Sequence, residues 1–229
     1  MSAAREQMLA AIRGALGRDR LPASTTDVLE RRLKQPRANV VPERGRPPAA
    51  ERVTVFIAEA ERVNATTERL ATLADVPAAV LAYLRAGNLP AVIRAGTDAL
   101  MSKIPWPREP MLQVNTGRAV GDDTASVTSA FAGIAETGTL MLLSDRESPT
   151  TLNFLPEAHL VVLPTDRIVG SYEEAWQRMR GKLGQGAMPR VVNWITGPSR
   201  TADIEQTLLL GAHGPKRLHI LLVDGDGPR

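Results

Sequence analysis

Polar and charged side chains follow the apolar segment VVNWIT in one short stretch, GPSRTADIEQTLLLGAHGP, at residues 197–215. Its first residues break a strand, and residues 201–210 have the apolar spacing of a helix. A turn that leads into a helix directs backbone N–H groups and the positive end of the helix dipole at one point, which favours a carboxylate or phosphate. Arg200 follows the turn and could hold such a group through two parallel hydrogen bonds. The predicted anion-binding residues are Gly197, Ser199, Arg200, Thr201 and Asp203.

The end of the same stretch, GAHGP at 211–215, places a histidine on a turn. Histidine is the side chain best suited to proton transfer near neutral pH, so His213 is a candidate proton carrier. The alternative is structural: His213 is then a hydrogen-bonded residue between a helix end at Gly211 and a sharp exit into the last strand.

A third turn, AETGT at 135–139, opens directly into an apolar strand. Glu136 could act there as a base or a nucleophile. Thr137 and Thr139 supply hydroxyl groups, and Gly138 permits close approach of the backbone. The alternative is a tight turn into a strand with no chemical role.

The chain lacks the motifs of common nucleotide, metalloprotease and hydrolase sites. It contains no GxxxxGK[ST], no GxGxxG after a strand, no HExxH and no GxSxG. It has no cysteine, so it cannot hold an iron–sulfur cluster through thiolates. Its 3 histidines are scattered, and we predict no metal site. We interpret His159 and His219 as core residues whose ring nitrogens are hydrogen-bonded.

Composition favours a parallel α/β fold. Apolar residues make up 43% of the 229 residues but aromatic residues only 3%, so Leu, Val, Ile and Ala must fill the core. Such strands suit a largely parallel sheet that is flanked by helices. The formal net charge is +3. A cluster of early cations between Arg31 and Arg52 overlaps a proline-rich stretch without aromatic residues, which argues against nucleic-acid binding.

The predicted organisation is an N-terminal helical extension followed by one α/β domain. Residues 1–50 hold an amphipathic helix at 2–20 and a proline-rich linker at 36–50, and residues 51–229 form the domain. The predicted helices of the domain cover 50–61, 75–86, 124–131 and 171–183, and the predicted strands cover 62–67, 90–94, 139–144, 159–164, 191–196 and 217–223. No window has the apolar length of a signal peptide or a membrane span, so we expect a cytoplasmic protein.

Four segments, in this order and spacing, resemble the lactate-utilisation protein C family, whose members contain a LUD domain. They are AETGTLMLLSD at 135–145, LPEAHLVVLP at 155–164, GPSRTADIE at 197–205 and GAHGP at 211–215. The resemblance implies a fold like that of the sugar-phosphate isomerases and CoA transferases. It also implies a place in a multi-subunit system that oxidises L-lactate to pyruvate.

The resemblance further implies which partners carry the redox groups. Larger relatives join the same domain to a cysteine-rich segment that holds iron–sulfur clusters. This chain has no cysteine and is similar to the small subunit without clusters. We therefore expect no cofactor on this chain and iron–sulfur clusters on partner subunits.

Three functional hypotheses follow. In the first, the chain is a non-redox accessory subunit of a lactate-oxidising iron–sulfur complex and binds a small carboxylate or other anion. Arg200 and the amides around Ser199 are then the receptor, and residues 136–139 line the facing side, at the carboxyl-terminal rim of the sheet. In the second, the chain is a free-standing enzyme of the CoA-transferase or isomerase type that uses Glu136, with His213 as proton carrier. The third is a structural scaffold, and the residues alone leave all three open.

Overall fold

The computed structural model describes residues 3–17, 21–37, 39–184, 186–201 and 209–225. Contacts between Cα atoms divide the chain into two units, Met1–Asn39 and Val40–Arg229. The α-helices are α1 (Ala3–Ala15), α2 (Ala23–Lys34), α3 (Arg52–Arg62), α4 (Val76–Ala86), α5 (Thr151–Phe154) and α6 (Tyr172–Leu183). The strands are β1 (Thr66–Leu70), β2 (Val92–Ala95), β3 (Gln113–Thr116), β4 (Ala125–Ser129), β5 (Ala132–Ile134), β6 (Thr139–Leu143), β7 (Ala158–Pro164), β8 (Ile168–Val169), β9 (Val192–Ile195), β10 (Arg200–Thr201), β11 (Leu209–Leu210) and β12 (Arg217–Val223).

The amino-terminal unit consists of α1 and α2, neither of which contains a buried residue. The predicted helix at 2–20 ends at Ala15 in the structure, and α2 was not predicted. Residues 40–50, which we expected in a linker, fall in the carboxy-terminal unit and contain two short 3-10 turns, Glu43–Gly45 and Ala49–Glu51. None of the described helices is long and apolar enough to cross a membrane.

The main sheet has six strands in the order β1-β12-β7-β4-β2-β3, and every neighbouring pair is parallel. Parallel strands are buried on both faces and therefore tend to be continuously apolar. β7 shows this directly, since all 7 of its residues are buried. The predicted α/β fold with a largely parallel sheet is thus confirmed.

A second sheet has four strands in the order β8-β5-β6-β9, and two of them continue from strands of the first sheet. β5 follows β4 after residues 130–131, and β8 follows β7 after the 3-10 turn Thr165–Arg167. The two neighbours β4 and β7 therefore continue as the parallel neighbours β5 and β8. β6 then pairs antiparallel with both β5 and β9.

The predicted short helix at 124–131 is wrong, because this segment forms β4. Val127 and Thr128 are β-branched and favour a strand. Between β2 and β7 the segment also obtains parallel backbone partners on both sides.

Alternate residues of β7 enter two different cores, as the two-residue period of a strand requires. Leu160 and Val162 pack with α4 on one face of the main sheet, whereas Val161 and Leu163 pack with α3 on the other. β6 joins the α3 core, and the opposite side of the second sheet packs against α6. The layers are therefore α4, the main sheet, α3 with the second sheet, and α6.

The turn between β5 and β6 packs closely on the end of α3. Gly138 has a φ of +64°, and a Cβ built there would lie 2.6 Å from the Cα of Ala60. Only glycine fits a positive φ combined with such close contact between two backbones. Gly138 thus has a demonstrable packing role.

We predict that Gly138→Ala lowers the free energy of unfolding by about 2–5 kcal/mol, because it combines a left-handed backbone with overlap in a packed region. The matched control is Gly181→Ala in α6, where nothing lies within 4 Å of an added Cβ. This control should raise the free energy of unfolding by up to about 1 kcal/mol through better helix propensity. Urea denaturation measures both, and equal effects at the two positions would contradict the packing argument.

Candidate functional site

The two turns at 197–200 and 211–215 lie side by side. The backbone N–H of Ser199 donates to the carbonyl of Pro215, and the N–H of Gly211 donates to the carbonyl of Ser199, each at 2.9 Å. The short strands β10 and β11 extend this pairing antiparallel. We predicted the two turns as separate candidates, and the structure places them next to each other.

The predicted helix at 201–210 is wrong at both of its ends. Thr201 pairs with Leu209 as antiparallel strand, and Arg200 pairs with Leu210. Asp203 lies outside the described residues, as does the rest of the predicted helix between the two strands. The helix dipole that we expected at Thr201 is therefore not part of the described site.

A pocket of about 250 Å³ opens between the two turns, and we call it the turn pocket. It is lined by Asn153, Phe154, His159, Trp194, Ile195, Thr196, Gly197, Pro198, Ser199, Arg200, His213, Gly214, Pro215 and Leu218. His159 and Leu218 are each the second residue of their strands, β7 and β12. The pocket therefore lies at the amino ends of these strands and not at the carboxyl-terminal rim where we expected it.

His159 and Asn153 are the buried polar residues in the lining of the turn pocket. His159 is only 1% exposed, and its Nε2 lies 2.7 Å from the Oγ1 of Thr128. Its Nδ1 is buried and has no hydrogen-bond partner among the described residues. Our prediction that the ring nitrogens of His159 and His219 are hydrogen-bonded is thus wrong for Nδ1 of His159 and, within the described part of the chain, for Nε2 of His219. Because a buried polar atom without a partner is costly, a ligand that pairs with it gains binding free energy.

Burial also determines the charge of this histidine. Desolvation lowers the pKa of His159 to about 3, so the imidazole is neutral at neutral pH. A neutral imidazole carries one N–H donor and one acceptor nitrogen. Nδ1 therefore carries either a proton or a lone pair, depending on the tautomer.

Arg200 supplies the positive charge of the turn pocket. It is exposed, and among the described residues it forms no ion pair with a carboxylate. The backbone N–H of Ser199, which we expected to bind an anion, is instead committed to Pro215. Ser199 therefore brings its hydroxyl, and His213 adds an exposed imidazole on the opposite turn.

Gly197 allows the first turn to reach this position. It has a φ of +77°, and a Cβ there would overlap the carbonyl oxygen of Val63, just beyond α3. A side chain at residue 197 would displace the turn that carries Ser199 and Arg200. The role of Gly197 is thus to place its neighbours.

Thr137 and Thr139 lie in a hydroxyl cluster outside the turn pocket. The Oγ1 of Thr139 lies 2.7 Å from that of Thr137, 2.7 Å from that of Thr196 and 2.8 Å from the hydroxyl of Tyr172. Thr139 is fully buried. Since Thr196 precedes Gly197, the cluster fixes the end of β9 at the point where the chain enters the pocket.

Glu136 lies apart from the turn pocket as well. Its side chain is 7% exposed, and its Oε1 accepts from the Nε of Arg44 at 3.2 Å. Its backbone N–H donates to the carbonyl of Gly170. A Cβ on Gly45 would come within 3.0 Å of its Oε2. The structure therefore does not bring Glu136 together with Arg200 or His213.

The described residues contain no group of three or more His, Asp or Glu side chains that could hold a metal ion. The turn pocket instead combines a guanidinium, two imidazoles and a serine hydroxyl. This set can bind an anionic oxygen and hydrogen-bond to a second polar group of the same ligand.

The lowered pKa of His159 implies that the free energy of unfolding depends on pH. In the unfolded chain the pKa of a histidine is about 6.5, so between pH 6.5 and about 3 the unfolded state binds more protons than the folded state. The free energy of unfolding therefore falls as the pH is lowered through this window and rises again with pH. His159→Asn should reduce this slope by up to about 1.4 kcal/mol per pH unit.

Urea denaturation at several pH values measures the slope. His219 serves as an internal comparison, because burial lowers its pKa to about 4. The pH range over which it changes the free energy of unfolding is therefore narrower than that of His159. An unchanged slope in His159→Asn would show that the imidazole of His159 is not held neutral by burial.

Comparison with known proteins places the chain among several relatives. It is 43% identical over 99 residues to an uncharacterised protein of Neisseria meningitidis, a match that covers 43% of this chain and 42% of the relative. It is 38% identical over 106 residues to lactate utilization protein C of Geobacillus thermodenitrificans, with 44% of each chain covered. The protein of the same name from Bacillus subtilis is 31% identical over 137 residues, covering 56% of this chain and 57% of the relative. The chain spans about half the length of these curated relatives.

A solved structure shares the fold. The crystal structure of a DUF162 family protein from Deinococcus radiodurans matches 78% of this chain and 99% of its own, with a TM-score of 0.59 and 24% sequence identity. The model of the LUD domain matches residues 53–223. This match includes the four segments on which the resemblance rests, and the chain belongs to the LUD domain family.

Proposed function

We propose that the protein acts in lactate utilisation as a non-redox accessory subunit that binds a small carboxylate in the turn pocket. The relatives named lactate utilization protein C support the metabolic context. The observation that carries the binding proposal is a pair of groups in one pocket that lack partners among the described residues: the Arg200 guanidinium, without an acidic partner, and the buried His159 imidazole, with only one of its two nitrogens hydrogen-bonded.

The charge and the volume of the turn pocket match a 2-hydroxy or 2-oxo acid. Arg200 is the group for the carboxylate, since a guanidinium binds two carboxylate oxygens in a fork. The pocket volume of about 250 Å³ lies just below the ~300–1,000 Å³ typical of sites for drug-sized ligands. A small organic acid is therefore a better match than a nucleotide.

His159 Nδ1 is the partner that we assign to the second polar group of such an acid. If Nε2 carries the proton and donates to Thr128, then Nδ1 accepts from the hydroxyl of a 2-hydroxy acid. If Thr128 donates to Nε2, then Nδ1 carries the proton and donates to the carbonyl of a 2-oxo acid. A change of the His159 tautomer, together with rotation of the Thr128 hydroxyl, thus adapts the pocket to lactate or to pyruvate.

The alternative of a CoA-transferase-like enzyme that uses Glu136 has less support. A nucleophile or base must reach the reacting atom, whereas Glu136 is buried, ion-paired with Arg44 and outside the lining of the turn pocket. We assign Glu136 the role of holding the segment around Gly45.

We propose the amino-terminal unit as the surface that meets iron–sulfur partner subunits. Apolar side chains recur along α1 and α2 and stay at least 41% exposed, namely Met8, Ile12, Val28, Leu29 and Leu33. Amphipathic helices with exposed apolar faces are typical of interfaces. Since the chain contains no cysteine, thiolate-bound clusters in the complex must be held by its partners.

The turn pocket is tested with lactate, pyruvate and acetate in isothermal titration calorimetry. Removing a charged hydrogen-bond partner costs about 1.5–3 kcal/mol, so Arg200→Gln should weaken binding at least about tenfold. His159→Asn should weaken the binding of lactate and of pyruvate more than the binding of acetate, because acetate lacks the second polar group.

The matched control is Arg108→Gln, which removes an exposed arginine that does not line the pocket. It should leave all three affinities unchanged, as should Glu136→Gln. If Arg200→Gln and Arg108→Gln weaken binding equally, the loss would reflect the lower net charge of the protein and not a specific site at Arg200. Loss in Glu136→Gln alone would favour the enzyme hypothesis.

The partner surface is tested by a Met8→Ser, Ile12→Ser and Leu33→Ser triple variant, which should no longer co-purify iron from cell extract. Exposed substitutions of this kind change stability by less than about 0.5 kcal/mol each. The control is Arg13→Ser, on the same helix as Ile12, and this variant should still co-purify iron. Iron content after affinity purification is the readout, and retention by the triple variant would remove this surface from the proposal.

A further inference from the structure

A second cavity, of about 880 Å³, lies in the carboxy-terminal unit and is distinct from the turn pocket. Three arginines, Arg118, Arg146 and Arg190, are part of its lining. We propose that this cavity, which we call the arginine cavity, binds a small molecule that carries a phosphate group. The proposal is independent of the carboxylate function of the turn pocket.

Three separate loops bring the arginines together. Arg118 follows β3, Arg146 follows β6, and Arg190 precedes β9. The loops are fixed by backbone and hydroxyl contacts: the N–H of Ser144 donates to the carbonyl of Val191 at 3.0 Å, and Ala119 donates to the Oγ1 of Thr151 at 3.2 Å. Residues far apart in sequence are thus held around one cavity by ordered structure.

The charge of the arginine cavity is not balanced from within. None of its three arginines forms an ion pair with a carboxylate among the described residues. Asp145 is the acidic residue of the lining, and its Oδ1 accepts from the N–H groups of Glu147 and Ser148 at 2.8 and 2.7 Å. Like charges around a shared cavity repel each other, and a bound dianion removes this repulsion.

The remaining wall shows what else the ligand contains. Thr150 donates to the Oγ of Ser144 at 2.8 Å, which places two hydroxyls beside the arginines. Leu143, Leu183 and Val191 provide an apolar side for an uncharged part of the ligand. The volume lies within the ~300–1,000 Å³ range of sites for larger ligands. A phosphate ester with an organic body fits this combination.

Phosphate suits the arginines better than a single carboxylate. Guanidinium groups recognise phosphate oxygens through paired hydrogen bonds. A phosphate ester presents three oxygens and close to two charges, so that more than one arginine can bind it at the same time. A monocarboxylate satisfies only one such fork.

The test uses pyrophosphate as the probe in isothermal titration calorimetry on the full chain. Arg146→Gln and Arg190→Gln should each weaken pyrophosphate binding by about tenfold. Arg108→Gln and Arg200→Gln should each leave it within twofold of wild type. Circular dichroism checks that the variants are folded, and none of the replaced side chains is buried.

Citrate and a duplex DNA oligonucleotide are titrated in parallel. Weaker binding of citrate than of pyrophosphate supports a phosphate site. Binding of citrate as tight as that of pyrophosphate would overturn the phosphate assignment in favour of a polycarboxylate. Tighter binding of DNA, lost in the same variants, would make the arginines part of a nucleic-acid surface. Absence of pyrophosphate binding at millimolar concentration, or equal loss in Arg108→Gln, would refute the site altogether.

Discussion

The parallel pairing of β7 with β12 is the interaction on which the rest of the structure depends. The two strands pair along seven residues in the interior of the main sheet, and both are covered on either face. Such strands admit apolar side chains at almost every position, because a polar group there loses its water and must find another partner. His159 on β7 meets this requirement with only one of its two nitrogens. The apolar centre of the sheet thereby makes this histidine a candidate ligand-binding residue.

The polar groups around the turn pocket differ in their tasks. Thr139 is buried, and its hydroxyl is bound to those of Thr137, Thr196 and Tyr172, so the cluster fixes the backbone that leads into the pocket. Glu136 is bound to Arg44 and holds a different segment. Arg200 and the Nδ1 of His159, in contrast, have no such partners among the described residues. The turn pocket thus contains groups that lack partners among the described residues, next to supporting groups that are paired with one another.

The sequence predicted the long, strongly patterned elements well. β7, β12 and α6 were found from their apolar runs and helical spacing, and they lie within a few residues of the predicted bounds. β5 and β8 were missed because strands of two or three residues carry too little pattern to detect. The segment 201–210 has helical spacing, yet its two ends pair with each other as short antiparallel strands.

In the site, the two turns were predicted from their residue types. The free nitrogen of His159 was not, because hydrogen-bond satisfaction depends on neighbours distant in sequence.

The double passage of strands from one sheet to the other has a mechanical consequence. β4 and β7 each cross into the second sheet through only two or three residues, side by side. A body joined by one short strand can bend and twist about it, whereas two neighbouring strands leave only the bend about the line that joins the two connections. Any movement of one sheet relative to the other is therefore expected about this single axis.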